Sequence, residues 1–105
     1  TNKVLGKQIT NGLKTIKDIS NIIIAYEPVW SIGTGLIPKS NDLLNSISFI
    51  KNKFRKKTPK VLYGGSVNSK NIAQLKDISI IDGFLIGGSS QSSKKFIDII
   101  KKTFN

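Results

Sequence analysis

The feature that most limits the fold of this chain is the apolar run Ile22–Ile24, which is followed by a carboxylate, a proline and two nearby glycines. A run without polar alternation is typical of a strand covered on both faces, as in parallel sheets flanked by helices. Glu27 would leave the carboxyl end of that strand, because Pro28 cannot continue the hydrogen-bonded ladder. The two glycines permit backbone angles that other residues avoid, so we expect residues 28–38 to form a loop with a stiff start and a flexible tip.

The rest of the chain alternates between amphipathic helical patterns and short apolar strand patterns. The first helix is predicted from the spacing of apolar residues between Leu5 and Ile19, although Asn11 and Gly12 weaken its middle. A helix followed by three strand–loop–helix units indicates an α/β fold, and this order alone fits either a doubly wound sheet or part of a barrel. The predicted strands are 21–27, 60–63 and 83–86, and the later predicted helices are 40–54, 68–77 and 92–104.

The later helices carry signals for their ends and their buried faces. Ser40 or Asn41 is the expected cap of the second helix, and Pro59 is the expected stop after it. Basic residues 55–57 suit the negative end of its dipole. The expected inward residues are Leu43, Leu44, Ile47, Ile50 and Phe54 in the second helix, Ile72, Ala73 and Leu75 in the third, and Phe96, Ile97, Ile100 and Phe104 in the last, which begins at Ser92.

The chain is strongly basic, which raises a nucleic acid or another acidic surface as a partner. Seventeen basic and six acidic residues give a net charge of +11. All but one of the basic residues are lysine, whereas recognition of phosphates and bases usually draws on arginine and stacked aromatic rings. The composition therefore favours a solvated basic face, and a nucleic-acid-binding module is the alternative.

Composition also bears on location and cofactors. The chain has no cysteine, no apolar run near the ~20 residues of a membrane span, and a polar start without a signal-peptide core. We therefore expect a soluble cytoplasmic protein without a membrane partner. It has no histidine either, which leaves no Ser-His-Asp or Cys-His nucleophile and no zinc ligand set. We expect no metal and no cofactor.

Three blocks of sequence resemble the triosephosphate isomerase family. Residues 25–35, Ala-Tyr-Glu-Pro-Val-Trp-Ser-Ile-Gly-Thr-Gly, are similar to its strand-and-lid motif and differ from it only at Ser31. Tyr-Gly-Gly-Ser-Val at 63–67 and Asp-Gly-Phe-Leu-Ile-Gly-Gly-Ser-Ser at 82–90 are similar to its next two strand-end loops. The resemblance implies that residues 1–105 are the C-terminal part of one (β/α)8 TIM-barrel domain, with its last three strands and four helices. The N-terminal part of the barrel would lie outside this chain.

The resemblance also implies a reaction and its residues. The family interconverts dihydroxyacetone phosphate and glyceraldehyde 3-phosphate, in glycolysis and gluconeogenesis, by moving a proton through an enediolate. Glu27 would be the base, and partial shielding from water beneath an apolar lid would make it a stronger one. The phosphate would be held by backbone amides of Gly33, Ser66, Gly87 and Gly88. The lid would comprise Pro28, Val29, Trp30, Ser31, Ile32, Gly33, Thr34, Gly35, Leu36, Ile37 and Pro38.

Two hydrogen bonds are expected to close the lid in this family. In one, the backbone N–H at the position matching Pro38 donates to the hydroxyl of the tyrosine matching Tyr63. In the other, the amide of Gly35 donates to the serine matching Ser66. Residues 36–38, Leu-Ile-Pro, depart from the usual Lys-Thr-Ala. Because proline has no N–H, the first bond cannot form in this chain, whereas the second can.

The resemblance leaves the activity of this chain open. The family's electrophilic histidine, substrate-binding lysine and supporting asparagine come from earlier strands, so the partners would be a triose phosphate and the remainder of the barrel. The alternative is a split or decayed remnant without independent activity. The family forms homodimers, chiefly through segments outside this chain. Tyr26, Trp30 and Phe84 are expected to pack rather than bind, and Asp82 is expected to orient the backbone near Gly83.

Overall fold

A computed structural model of the chain describes residues 2–16, 21–54 and 57–104. Within those residues, helices and strands alternate along the chain. The elements are α1 (Asn2–Leu13), β1 (Ile23–Tyr26), α2 (Ser40–Asn52), β2 (Lys60–Tyr63), α3 (Ile72–Lys76), β3 (Gly83–Phe84) and α4 (Ser93–Thr103), with short 3-10 turns at Val29–Ser31 and Gly88–Gln91. In the described part of the chain, no helix is long and apolar enough to cross a membrane.

The three described strands form one parallel sheet in the order β1-β2-β3. The register pairs Tyr26 with Tyr63, and Tyr63 with Phe84. The carboxyl ends of all three strands therefore lie at one edge of the sheet, and the loops that follow them begin side by side. This arrangement confirms the α/β fold class with parallel strands.

The core lies between the helices and one face of the sheet. Val61 and Tyr63 point to that face and are fully buried, whereas Leu62 between them is half-buried. This is the alternation expected of a strand covered on one side. The remaining buried apolar residues come from the helices and the loop after β2: Leu43, Ile47, Ile50, Val67, Ile72, Leu75 and Ile99.

The prediction that Ile22–Ile24 is covered on both faces is wrong. Exposure alternates along β1, and the side chain of Ile23 is 63% exposed while Ile24 packs against the core. Within the described residues the helices pack on only one face of the sheet, so every second residue of β1 faces solvent. The apolar run Ile22–Ile24 places side chains on both faces of the strand, but the described helices cover only one of these faces.

The predicted inward face of α4 is also wrong in part. Ile99 is the buried residue of this helix, whereas Ile97, Ile100 and Phe104 are 49%, 40% and 83% exposed. Phe96 is half-buried. Helix α4 packs against α3, and the 3.6-residue period places residue 99 toward the core while 97, 100 and 104 lie on another side.

Several predicted helix ends shift. Helix α1 ends at Leu13, next to the predicted weak point, and the predicted helical residue Ile19 lies outside the described residues, as do Arg55 and Lys56. Neither Ser40 nor Asn41 caps α2, because the capping residue is Lys39 and no side chain bonds there. The C-terminal end of α2 is Asn52, ahead of the predicted stop. Leu44 (41%) and Ala73 are exposed, and β1, α3 and β3 are shorter than predicted. Ser92 caps α4 as predicted, and its hydroxyl accepts from the Lys95 amide at 3.4 Å.

Candidate active site

A pocket of about 420 Å³ opens at the sheet edge where the three strands end. The loop after each strand contributes to its wall, as expected when parallel strands end at the same level. The pocket therefore brings together the predicted base and all four predicted phosphate-binding residues. Its lining comprises Glu27, Ile32, Gly33, Gly35, Gly64, Gly65, Ser66, Val67, Asn68, Leu85, Gly87, Gly88, Ser89 and Lys95.

Glu27 lies against the backbone of Gly64. A Cβ added at residue 64 would lie 2.8 Å from Glu27 Cγ and 3.2 Å from Oε1, so the carboxylate position needs glycine there. The predicted shielding of Glu27 is not found, because the residue is exposed in the described structure. It follows Ile23 and Ala25 in the strand alternation and so shares their uncovered face of the sheet.

The lid has a compact backbone of its own. It begins with a 3-10 turn in which the Ser31 amide donates to the Pro28 carbonyl at 2.9 Å. Further along, Thr34 Oγ1 donates to the Ser31 carbonyl and accepts from the Leu36 amide, both at 3.1 Å. Gly33 and Gly35 have φ of +71° and +78°, where side chains other than glycine are strained. The side chain of Trp30 lies outside the described part of the structure.

The hydroxyl of Ser66 joins the lid to the loop after β2. Ser66 Oγ accepts from the Gly35 amide at 2.9 Å and from the Thr34 amide at 3.1 Å, and it donates to the Ser31 carbonyl. A hydroxyl has one proton and two lone pairs, so this side chain uses its full hydrogen-bonding capacity. The pair formed by Ser66 and Gly35 is the contact that the resemblance implied for a closed lid.

The hydroxyl of Tyr63 contacts Ser31 at a distance of 2.9 Å between the two oxygens. Both residues are fully buried. Burial raises the pKa of the Tyr63 phenol above its ordinary value, so the phenol is protonated at neutral pH and able to donate. The lid residue opposite Tyr63 is thus Ser31, a position to which the sequence assigned no role beyond membership of the lid. The available signal was that Ser31 is the one departure from the family pattern in residues 25–35.

Asp82 supports the neighbouring strand rather than the backbone near Gly83. Its carboxylate accepts from the Val61 amide at 2.8 Å and forms an ion pair with Lys51 Nζ at 2.9 Å. Burial acts to raise the pKa of Asp82, but the Val61 amide and the Lys51 ammonium outweigh it, and the pKa lies below its ordinary value. Asp82 therefore fixes the start of β2 and lies apart from the pocket.

Two further sequence predictions concern the aromatic residues near the ends of the strands. Tyr26 and Phe84 pack against the core, as predicted, and the rings of Tyr26 and Tyr63 lie 6.5 Å apart between centroids. Lys95 also lines the pocket, although the sequence predicted it only as a residue of the last helix. Its place in the wall depends on how α4 packs, so nothing in the local sequence indicates it.

The fold and the pocket define an α/β protein with a pocket at the carboxyl ends of its parallel strands. A sequence profile of triosephosphate isomerase matches residues 1–103. Similar proteins named triosephosphate isomerase occur in Yarrowia lipolytica (46% identity, covering 92% of this chain and 41% of the relative) and in Zygosaccharomyces bailii (44%, 95% and 43%). A relative of the same name in Mycoplasma mobile is 43% identical, over 94% of this chain and 40% of its own length.

The chain belongs to the triosephosphate isomerase family. It spans about two-fifths of the length of the relatives that it matches.

Proposed function

We propose that this chain supplies the catalytic base, the lid and the phosphate loops of a triosephosphate isomerase. The observation that carries the proposal is the single pocket that combines Glu27 with Gly33, Ser66, Gly87 and Gly88. The described sheet would then be the last three strands of a (β/α)8 barrel. The parallel order β1-β2-β3 and the shared sheet edge support this assignment.

The chemistry assigned to Glu27 is proton transfer between adjacent carbons of a triose phosphate. The carboxylate removes the proton from the carbon that bears the hydroxyl, and the C–H electron pair becomes the carbon–carbon double bond of an enediolate. The π pair of the carbonyl moves onto its oxygen at the same time. The protonated Glu27 then returns a proton to the neighbouring carbon, and the hydroxyl proton passes to the former carbonyl oxygen through donors outside this chain, so the carbonyl and hydroxyl groups exchange places. Its exposure at the pocket wall gives a substrate carbon direct access to the carboxylate.

The phosphate of the substrate is assigned to the glycine-containing loops. Backbone N–H groups in such loops suit a phosphate dianion because they provide positive dipoles without bulky side chains. A Cβ added at Gly87 or Gly88 would meet no atom within 4 Å, so the wall is open at these residues. Lys95, whose side chain carries a positive charge, also lines this pocket.

The rest of the site is assigned to other parts of the barrel. The oxyanion of the enediolate needs hydrogen-bond donors, and the family takes them from a histidine and a lysine on earlier strands. The remainder of the barrel is therefore the expected partner of this chain, in a cytoplasmic enzyme that forms a homodimer as its family does. No cofactor takes part in the proposed reaction.

Reconstitution with the missing groups tests the proposal. The 105-residue chain is mixed with the N-terminal portion of the Yarrowia lipolytica relative, and triose phosphate isomerisation is followed in a coupled assay. We expect turnover from the mixture and none above buffer from either piece alone. The Glu27→Gln variant should keep the shape of the site and abolish turnover.

Binding separates this function from its alternatives. Inorganic phosphate should shift the amide resonances of Gly33, Gly87 and Gly88 in the mixture, and equally so with Glu27→Gln. A mixture that assembles yet neither binds phosphate nor turns over would favour a decayed remnant. Tight binding of duplex DNA or RNA that weakens steeply with salt would instead favour the basic binding module.

A further inference from the structure

We infer that Ser31 is a positioning residue that fastens the lid to the loop after β2 through its side-chain hydroxyl. The lid here means residues 28–38. The inference rests on the proposed function for its purpose, since a fastened lid holds Gly33 and Gly35 at the pocket wall beside Glu27. The contacts of the Ser31 hydroxyl do not depend on that function.

The hydroxyl of Ser31 joins three separate groups. Ser31 Oγ donates to the Leu36 carbonyl at 2.5 Å, accepts from the Ser66 amide at 3.3 Å, and lies 2.9 Å from the Tyr63 hydroxyl. Leu36 lies near the far end of the lid, whereas Tyr63 and Ser66 belong to β2 and its loop. One side chain therefore ties both ends of the lid to the adjacent strand end.

The direction of these hydrogen bonds follows from the number of protons available. A carbonyl can only accept, so the single hydroxyl proton of Ser31 goes to Leu36. Tyr63 must then donate to Ser31, and its phenol is protonated at neutral pH. The Ser66 amide supplies the second donor. The Ser31 hydroxyl thus has one donated and two accepted hydrogen bonds and no spare capacity.

The Ser31 hydroxyl is buried, so its removal is costly to the structure around it. Ser31 is 0% exposed and is the only polar residue among the fully buried ones in the described ranges. Gly65 covers the pair, because a Cβ there would overlap the Tyr63 hydroxyl and lie 2.5 Å from Ser31 Oγ. Because Ser31 and Tyr63 are both closed off from solvent, removing the Ser31 hydroxyl leaves the buried Tyr63 hydroxyl without this partner.

Pro38 provides a second argument for the role of the Ser31 hydroxyl. Residue 38 is buried and has no N–H, so the lid backbone at this point cannot donate to the Tyr63 hydroxyl. The Tyr63 hydroxyl instead donates to the Ser31 oxygen. The lid is thus held to Tyr63 from its first turn instead of its last residue.

Amide hydrogen exchange of the full 105-residue chain tests the inference without any ligand. We expect Ser31→Ala to speed exchange at Thr34, Gly35 and Leu36 by about 3- to 10-fold, the effect of one net hydrogen bond. The reference amides of Ile72 and Leu75, which bond within the α3 region, should not change. Ser79→Ala, at an exposed serine before β3, is the matched control and should leave the lid unchanged.

A second pair of variants assigns the effect to the hydroxyl. Tyr63→Phe should speed lid exchange less than Ser31→Ala, because it removes one of the three bonds. The double variant should be no faster than Ser31→Ala alone, since both changes act on the same contact. Ser31→Cys keeps a side chain of the same shape, slightly larger, with only a weak hydrogen-bonding group. It is the deciding variant if the alanine variant also loosens α3. Unchanged lid exchange in Ser31→Cys, or full additivity of the two single variants, would overturn the inference.

A phosphate titration separates this inference from the proposed function. If the lid is fastened for ligand binding, inorganic phosphate should shift the Gly33, Gly87 and Gly88 amides in the reconstituted mixture made with the unaltered chain. In the mixture made with Ser31→Cys the Gly33 response should be reduced at least about 3-fold while Gly87 and Gly88 still respond. No response in the mixture made with the unaltered chain would contradict the proposed function and leave the exchange result to decide the role of Ser31. A Gly33 response that is equal in both chains would contradict the positioning role.

Discussion

The carboxylate arm of Glu27 lies directly over the backbone of Gly64, and a Cβ at residue 64 would lie 2.8 Å from Glu27 Cγ. The register of β1 and β2 causes this approach, because Tyr26 pairs with Tyr63 and the next residues of the two strands leave the sheet together. The Gly64 amide donates to the Tyr26 carbonyl at 2.9 Å, which fixes the two backbones at that level. The position of the proposed base is therefore set by the neighbouring strand as much as by its own.

The first prediction is that Gly64→Ala displaces Glu27 without unfolding the chain. The new methyl group meets a flexible, exposed side chain that can swing aside, so the free energy of unfolding should change by less than about 1 kcal/mol. The misplaced base should lower turnover of the reconstituted enzyme by about 10- to 100-fold. Gly12→Ala, where a Cβ meets nothing within 4 Å, is the control and should leave turnover unchanged. Full activity in Gly64→Ala would show that the contact does not place the base.

The adjacent glycine should behave in the opposite way. In Gly65→Ala the new methyl group would overlap the hydroxyl of Tyr63, which is fully buried and has no room to move. We expect the free energy of unfolding to fall by about 1–3 kcal/mol, as in other overpacked sites. Urea denaturation measures the change. In the Tyr63→Phe background the loss should be smaller but should not vanish, because the overlapping oxygen is gone while the ring carbon Cζ and Ser31 Oγ still lie too close to the new methyl group. An equal loss in both backgrounds would contradict the role of the Tyr63 oxygen.

The third prediction concerns the pH dependence of stability through Asp82. Its pKa in the folded chain lies below the usual value of about 3.9. The ionised carboxylate therefore stabilises the fold fully above that value, and this contribution is lost as the pH falls through the lower, folded pKa. Urea denaturation from pH 7 to pH 2 should show a steeper acid loss for the unaltered chain than for Asp82→Asn. Asp77→Asn, at an exposed carboxylate after α3, should keep the acid loss of the unaltered chain.

The fourth prediction concerns the uncovered face of the sheet. Ile23 is 63% exposed there, and β1 and β3 are edge strands of the described sheet. Such edges and apolar faces promote association with other chains. We expect the 105-residue chain to self-associate at moderate salt in sedimentation experiments, and Ile23→Lys to reduce this association. Val4→Lys, at an apolar residue of α1 that is 57% exposed, adds the same charge elsewhere and should have less effect. A dilute chain that remains monomeric would contradict the prediction.

Local sequence was sufficient for the order of the strands, for both ends of β2 and for the meeting of the loops. The bounds of β2 follow from its apolar residues and the proline before it, and parallel strands necessarily bring the following loops to one edge. Local sequence did not predict the exposure of Ile23 or Ile97, because that exposure depends on which surfaces the other helices and strands cover. Nor could it pair Ser31 with Tyr63, because that contact spans 32 residues and depends on the sheet register.

The saturated hydroxyls of Ser31 and Ser66 have a consequence for how the lid moves. Together they account for six hydrogen bonds that involve the lid or the strand end beside it. A small outward displacement would lengthen several of these bonds at once, and no spare donor or acceptor on either hydroxyl could compensate. Half-open positions are therefore high in free energy. We expect the lid to be either closed or open, with little population in between. Its opening rate, rather than its average position, would then respond to changes at these two serines.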